Sequence, residues 1–185
     1  MSLHTVVIES CRPETANEEV ALRVAGMLGQ LPGIDARLAA AKRIFVKLNL
    51  GLQVASYYKG RPIDYTDPAV FQGLADYMCG RTDAVVLVGD GSLAVNAARA
   101  AEERGHMAVV RRAGFQFLDL NEPPFARFDV PNPTIFRWYD LSAALQGVDL
   151  CISVAKMKAL NRSRIENHGV HPDVPKNVSK SITVD

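Results

Sequence analysis

Three places in the chain close an apolar run with side chains able to hold and act on a negatively charged molecule. They are Val46-Lys47-Leu48-Asn49, Val88-Gly89-Asp90-Gly91-Ser92 and Val154-Ala155-Lys156-Met157-Lys158. Lysine ammonium groups are compact charges that suit phosphate or carboxylate. Asn49 and Ser92 add hydrogen-bonding groups that orient a ligand. Asp90, set between Gly89 and Gly91, supplies a carboxylate that serves as a base or faces a metal, and the two glycines let backbone N–H groups come close to an anion. Lys47 and Asp90 are therefore the candidate catalytic pair. Asn49, Gly89, Gly91, Ser92, Lys156 and Lys158 are the candidate ligand-binding set. These residues act together only if the three runs are neighbouring strands, because ligands of open α/β sheets bind outside the carboxyl ends of strands, beside helix N-termini.

The surrounding pattern predicts such a scaffold. Arg43–Leu50, Asp83–Val88 and Val148–Val154 read as strands, the second a near-continuous apolar run of the kind found in parallel sheets. Thr5–Glu9 and Phe115–Leu120 read as two more. Thr15-Ala16-Asn17-Glu18 reads as a capping box opening a helix, with Val20, Val24, Met27, Leu28 and Leu31 on one face before Pro32-Gly33. Thr66-Asp67-Pro68 supplies an N-cap and a first-turn proline for a helix running to Cys79. Leu93–Arg104, Met107–Ala113 and Leu141–Gln146 are further helical segments. Arg127–Val130 and Ile135–Tyr139, bracketed by Pro131 and Pro133, read as an edge hairpin. Gly51–Tyr65 has neither period and reads as a long binding loop or lid. Strands alternating with helices predict right-handed βαβ units: an α/β fold with an open, mainly parallel sheet and helices on both faces, Rossmann-like and three-layered. Residues 1–158 form this domain. Residues 159–185, polar and without a helical stripe, form a loose C-terminal segment.

Other chemistries fit parts of the chain. Gly89-Asp90-Gly91-Ser92-Leu93-Ala94 matches the dinucleotide fingerprint and precedes Asp119, so an NAD(P)-binding oxidoreductase domain using Gly89, Gly91 and Asp119 is the enzymatic alternative. Ser92 as a hydrolase nucleophile lacks a partner spacing among His106, His168 and His171. His168-Gly169-Val170-His171 sits in a segment with no regular structure to aim two rings at a metal. Cys11, Cys79 and Cys151 form no C-x-x-C pair, so neither a zinc ribbon nor an iron–sulfur motif is encoded, and no cofactor is assigned.

Composition narrows the partners. A chain of 185 residues and 20.2 kDa is the size of one domain. Hydrophobic residues at 48% and charged residues at 22% exclude disorder, and no apolar run is long enough to span a bilayer. With 21 basic against 20 acidic residues, no global field draws the chain to nucleic acid or anionic lipid. The expected partner is a small anionic molecule, with a homo-oligomer or a partner chain completing the sheet as the non-catalytic alternative. Three unpaired cysteines behind an N-terminus without a signal-peptide pattern predict a cytoplasmic protein.

In their order along the chain these motifs resemble the domain-of-unknown-function 362 (DUF362) family. Val46-Lys47-Leu48-Asn49 stands for an Ile-Lys-Pro-Asn-like strand end, Thr66-Asp67-Pro68 for a helix start, Val88-Gly89-Asp90 for a Val-Gly-Asp-like end, and Val154-Ala155-Lys156-Met157-Lys158 for a Val-Pro-Lys-x-Lys-like end. Lys176-Asn177 matches a later Lys-Asn pair, and the resemblance spans residues 5–178. It implies an α/β domain, often found with ferredoxin-like iron–sulfur segments, and a redox- or cofactor-linked role. Ala159-Leu160 replace the family's Thr-His, so no histidine-dependent activity is expected here. The chain is expected to be a truncated member without the ferredoxin-like segment.

Overall fold

The structure, a computed structural model, describes residues 5–51, 55–91 and 96–156. Elements run in the order α1 (Asn17–Leu28), α2 (Ile34–Ala40), β1 (Arg43–Leu48), β2 (Tyr57–Tyr58), β3 (Arg61–Pro62), α3 (Pro68–Met78) and β4 (Val85–Asp90). There follow α4 (Ala97–Glu103), α5 (His106–Ala113), β5 (Gln116–Asp119), β6 (Phe125–Asp129), β7 (Trp138–Ser142), a 3-10 turn (Ala143–Leu145) and β8 (Leu150–Val154).

Four strands form the main sheet in the order β5-β4-β1-β8, and every pairing in it is parallel. The register sets Ile44 beside Val86 and Leu150, and Val46 beside Val88 and Ile152. Alternation then turns these residues, with Leu48 and Val154, to one face. There they join Leu28, Leu38, Phe71, Leu74, Met78, Ala101 and Val110 in a single buried cluster. Ile44 and Val46 are fully enclosed, each stabilising the fold by about 2 kcal/mol through apolar burial. The class is α/β with an open parallel sheet, as the sequence indicates. Against the expectation of helices on both faces, the five α-helices among the described residues all feed the core on this one face. The path explains the placement: β1, β4 and β5 follow one another in a single direction across the sheet, and successive right-handed crossovers in one direction deposit their helices on one side. The opposite face carries Phe45, Leu87, Lys47, Gly89, Cys151 and Ser153.

Helices α1 and α3 lie parallel and in close contact. Their starts are joined through Arg61, whose guanidinium donates to Asn17 Oδ1 at 2.8 Å and to Asp67 Oδ2 at 3.2 Å. Further along, Gly73 sits directly against the backbone of Ala21 and the side chain of Val24, with no room for a β-carbon. Near the far end, Gly29 lies against the Tyr77 ring.

Several expectations change. Thr5–Glu9 forms no strand, and Val6 and Ile8 are exposed. The capping box is absent: Ala16 is the N-cap of α1 without a side-chain bond, and the Thr15 carbonyl instead accepts from Arg61. A helix goes unpredicted at α2, because seven residues bearing two buried positions, Ile34 and Leu38, give too short a stripe. Within the expected loop, β2 and β3 pair as a small antiparallel ribbon. The expected edge hairpin exists as β6 and β7, but it forms its own two-stranded sheet. Leu141 and Ser142 extend β7 instead of starting a helix. Leu93–Val95 and residues 159–185 lie outside the described residues.

Candidate functional site

Lys47, Asp90, Asn49 and Lys156 arise where β1, β4 and β8 end. Lys47 points from the last turn of β1, opposite Gly89 of β4 and Ser153 of β8. Its ammonium donates to Asp90 Oδ1 and, at 2.6 Å, to the Leu48 carbonyl. Asp90 closes β4, and its other oxygen accepts from the Leu50 amide at 2.6 Å. The carboxylate is nearly enclosed, its side chain 9% exposed, whereas the Lys47 side chain is 37% exposed. Two of the three Lys47 N–H groups are thus spent on aiming the ammonium, and the third is open among the described residues. Asp90 braces the lysine and the departing chain. Both its oxygens are engaged, which distinguishes it from a free base.

Asn49 does not extend the strand. Its Oδ1 accepts from Gly51 N at 3.0 Å, folding the chain back on itself in an Asx-type turn. Its backbone is held by Thr66, a residue not singled out as functional in the sequence. Thr66 Oγ1 accepts from Asn49 N at 2.9 Å and donates to the Val154 carbonyl at 2.6 Å, while Thr66 N donates to Asn49 O at 2.7 Å. The hydroxyl of one buried residue, 2% exposed, therefore joins the ends of β1 and β8. The Thr66 carbonyl accepts from His106 Nε2 at 2.8 Å. An acceptor there fixes the proton on Nε2, and Nδ1 is buried without a hydrogen-bond partner. Burial pushes the His106 imidazole below its ordinary pKa, outweighing the Thr66 bond. Beside it the Tyr65 ring lies edge-on at 5.9 Å, and the Tyr65 hydroxyl meets that of Tyr57 at 2.9 Å. Burial first, and the Tyr57 bond next, push the Tyr65 phenol well above its ordinary value.

Lys156 follows the end of β8 and is half-buried, on the strand directly beside β1. The structure brings Lys47 of β1 and Asp90 of β4 into contact and leaves Asn49 and Lys156 just beyond the ends of β1 and β8. Ser92 and Lys158 lie outside the described residues, as do His168 and His171.

Both glycines of the fingerprint have packing reasons. A β-carbon on Gly89 would press into the Leu118 carbonyl of β5, and one on Gly91 would meet Asn121 Oδ1 at 3.0 Å. Asp119 ends β5 beside Asp90. Its two oxygens accept from Ala97 N at 2.8 Å and Asn121 N at 3.0 Å, so it caps α4 and the following turn. A ribose hydroxyl would have to compete with both amides. Among the described residues no group of three or more His, Cys, Asp or Glu is placed to hold a metal, and no helix is long and apolar enough to cross a membrane.

A family model described as "Domain of unknown function (DUF362)" matches residues 44–165, more than half of the 185 residues. That segment contains Lys47, Asn49, Thr66, Asp90, His106 and Lys156. No curated protein and no solved structure matches the chain.

Proposed function

This chain belongs to the DUF362 family, and from the strand ends within its matched segment we propose that it binds a small phosphate- or carboxylate-bearing molecule at the carboxyl rim of β4, β1 and β8. One observation carries the reading: two lysines, Lys47 and Lys156, stand at the ends of adjacent parallel strands, and the first has its ammonium aimed by a nearly enclosed carboxylate. Holding a cation at a fixed place and direction lowers the entropy lost when an anion docks. Lys47 keeps one N–H for the ligand. Lys156 adds charge from the next strand, and Asn49 lines the same rim. Asp90 acts here as a positioning group. Ser92 and Lys158, near in sequence to Asp90 and Lys156, extend the same set.

The Asp119 contacts weigh against the dinucleotide alternative, because its carboxylate already stabilises the start of α4. The redox-linked role implied by the family resemblance is a separate reading, which the lysines and carboxylate of the rim do not address; Cys11, Cys79 and Cys151 form no disulfide.

Thermal-shift titration tests the reading with inorganic phosphate, a nucleoside diphosphate and citrate. A ligand that binds only the folded state raises Tm by mass action, about 2.7 kcal/mol of stabilisation at a hundredfold excess over Kd. At least one of the three should raise Tm, and Lys156→Ala should abolish the shift while leaving the unliganded Tm within about 2 °C. A shift of equal size in Lys156→Ala, or none with any of the three, overturns it.

A further inference from the structure

We infer that the ribbon of β6 and β7 is an interface for a second copy of this chain, its apolar face stacking on the same face of that copy across a two-fold axis. The contact is independent of any ligand at the rim.

The cross-strand register separates the two faces of the ribbon. Phe125 pairs with Ser142, Arg127 with Asp140 and Asp129 with Trp138, so these side chains share one face. The alternate pairs, Ala126 with Leu141 and Phe128 with Tyr139, form the other. On the first face the polar groups engage one another. Arg127 donates to Asp129 Oδ1 at 3.0 Å, holds its guanidinium 4.9 Å from the centre of the Trp138 ring, and stands opposite Asp140. The second face receives no charged side chain from either strand. Phe136 joins it through a ring contact with Tyr139, the centroids 5.6 Å apart. This apolar face is nevertheless open: Phe136 is 54%, Tyr139 48% and Leu141 40% exposed. Arg137, exposed and one residue before β7, stands at its margin toward the tip. A two-stranded ribbon is marginal alone and needs its apolar face packed. Among the described residues, β6 and β7 pair only with each other.

Charge and area both point to a second copy as the cover. In a two-fold contact a surface meets itself, so charges near the axis would meet their like. The strands of this face bring none there, and stacking it on itself buries no unpaired ion. The whole chain carries a formal charge of only +1, so no net repulsion holds two copies apart. The open parts of Phe136, Tyr139 and Leu141, with the edges of Phe128 and Ala126, amount to roughly 300 Å² per copy. A face-to-face pair then buries roughly 600 Å² of apolar surface, or roughly 1,000 Å² in all at the apolar share usual in interfaces. That is the lower end for a specific contact, so the dimer is weak and reversible.

Sedimentation equilibrium of the full chain, from about 10 µM to about 1 mM, tests this. The weight-average mass should rise from 20.2 kDa toward twice that value. Tyr139→Glu places a charge on the face twice per dimer and should weaken association by at least about 30-fold. Leu141→Lys, on the same face, should do the same and serves if Tyr139→Glu does not fold. Phe125→Asp, on the opposite face, should leave association within about threefold of the parent. Melting temperatures at the lowest concentration check that each variant is folded. A parent that stays monomeric throughout overturns the inference and assigns the face to residues beyond 156 or to a different protein. So does a dimer that survives both Tyr139→Glu and Leu141→Lys, or one that Phe125→Asp disrupts equally.

Discussion

The hydroxyl of Thr66 lies 2.6 Å from the carbonyl oxygen of Val154, a residue 88 positions away, and 2.9 Å from the amide nitrogen of Asn49. A single side chain thereby closes the polar ends of two neighbouring strands. Thr66→Val keeps the shape and removes both bonds, leaving a buried carbonyl and a partly buried amide without that partner. The expected cost is about 2 kcal/mol. Thr66→Ser should lose less than half as much. Urea denaturation, with the m-value unchanged, measures both; equal losses would mean that the methyl group matters and the hydroxyl does not.

The Lys47–Asp90 pair predicts a non-additive response. Lys47→Met strands a carboxylate whose side chain is 9% exposed, at a cost of about 2 kcal/mol, below that of a fully buried pair because Lys47 itself is partly solvated. Asp90→Asn retains a group able to accept from Leu50 N and costs about 1 kcal/mol. The double variant should be more stable than the sum of the two losses predicts, by about 1 kcal/mol. Strict additivity in a double-mutant cycle would show that the two groups do not interact.

Glycines in the two packed helices should respond in opposite directions. A β-carbon at Gly73 would fall 2.7 Å from Val24 Cβ and closer still to the Ala21 carbonyl, forcing α1 and α3 apart. Gly73→Ala should cost about 2–3 kcal/mol. Gly26, within α1, has nothing within 4 Å of the same added atom, so Gly26→Ala should stabilise by about 0.5–1 kcal/mol. Thermal melts of the two single variants give the comparison. A Gly73→Ala protein as stable as the parent would refute the close approach.

Stability should fall on the acid side because of His106. Burial holds its folded-state pKa below 6.5, so the unfolded chain takes up a proton that the folded chain refuses. Stability is full above pH 6.5 and is lost as pH drops below it, by at most about 1.4 kcal/mol per pH unit for one proton. His106→Gln can still donate to the Thr66 carbonyl but does not titrate. Its stability should vary less between pH 7 and pH 5 than that of the parent, as measured by urea denaturation at each pH. Identical slopes would locate the proton uptake elsewhere.

The features most legible in the sequence were those written locally. Arg43–Leu48 and Val85–Asp90 announce themselves as apolar runs, and Asp67-Pro68 marks the start of α3, where the Asp67 side chain caps Ala69 N at 2.9 Å. The meeting of Lys47 with Asp90 was foreseeable because both end such runs. Thr66 was legible only as a neighbour of the cap, since its hydroxyl takes its meaning from the adjacency of β1 and β8, which no local pattern encodes. Gly89 invited a phosphate reading for a similar reason: the Leu118 carbonyl that excludes a side chain there belongs to a strand nearly thirty residues on. Thr15 misled because a good capping residue lost its place to Ala16 when Arg61 claimed its carbonyl.

The ribbon of β6 and β7 pairs within itself, and its base is shut where Ala143 N donates to the Pro124 carbonyl at 2.8 Å. Beyond it, the Asp149 carboxylate accepts from the amides of both Lys42 and Arg43 at 2.9 Å, pinning the chain before β8 begins. Insertions, deletions or wholesale grafts between Pro124 and Ala143 therefore leave the alignment of the parallel strands untouched. Evolution or a designer can vary the aromatic surface of this appendage, where Phe125, Phe136, Trp138 and Tyr139 lie open, as a unit separate from the rim.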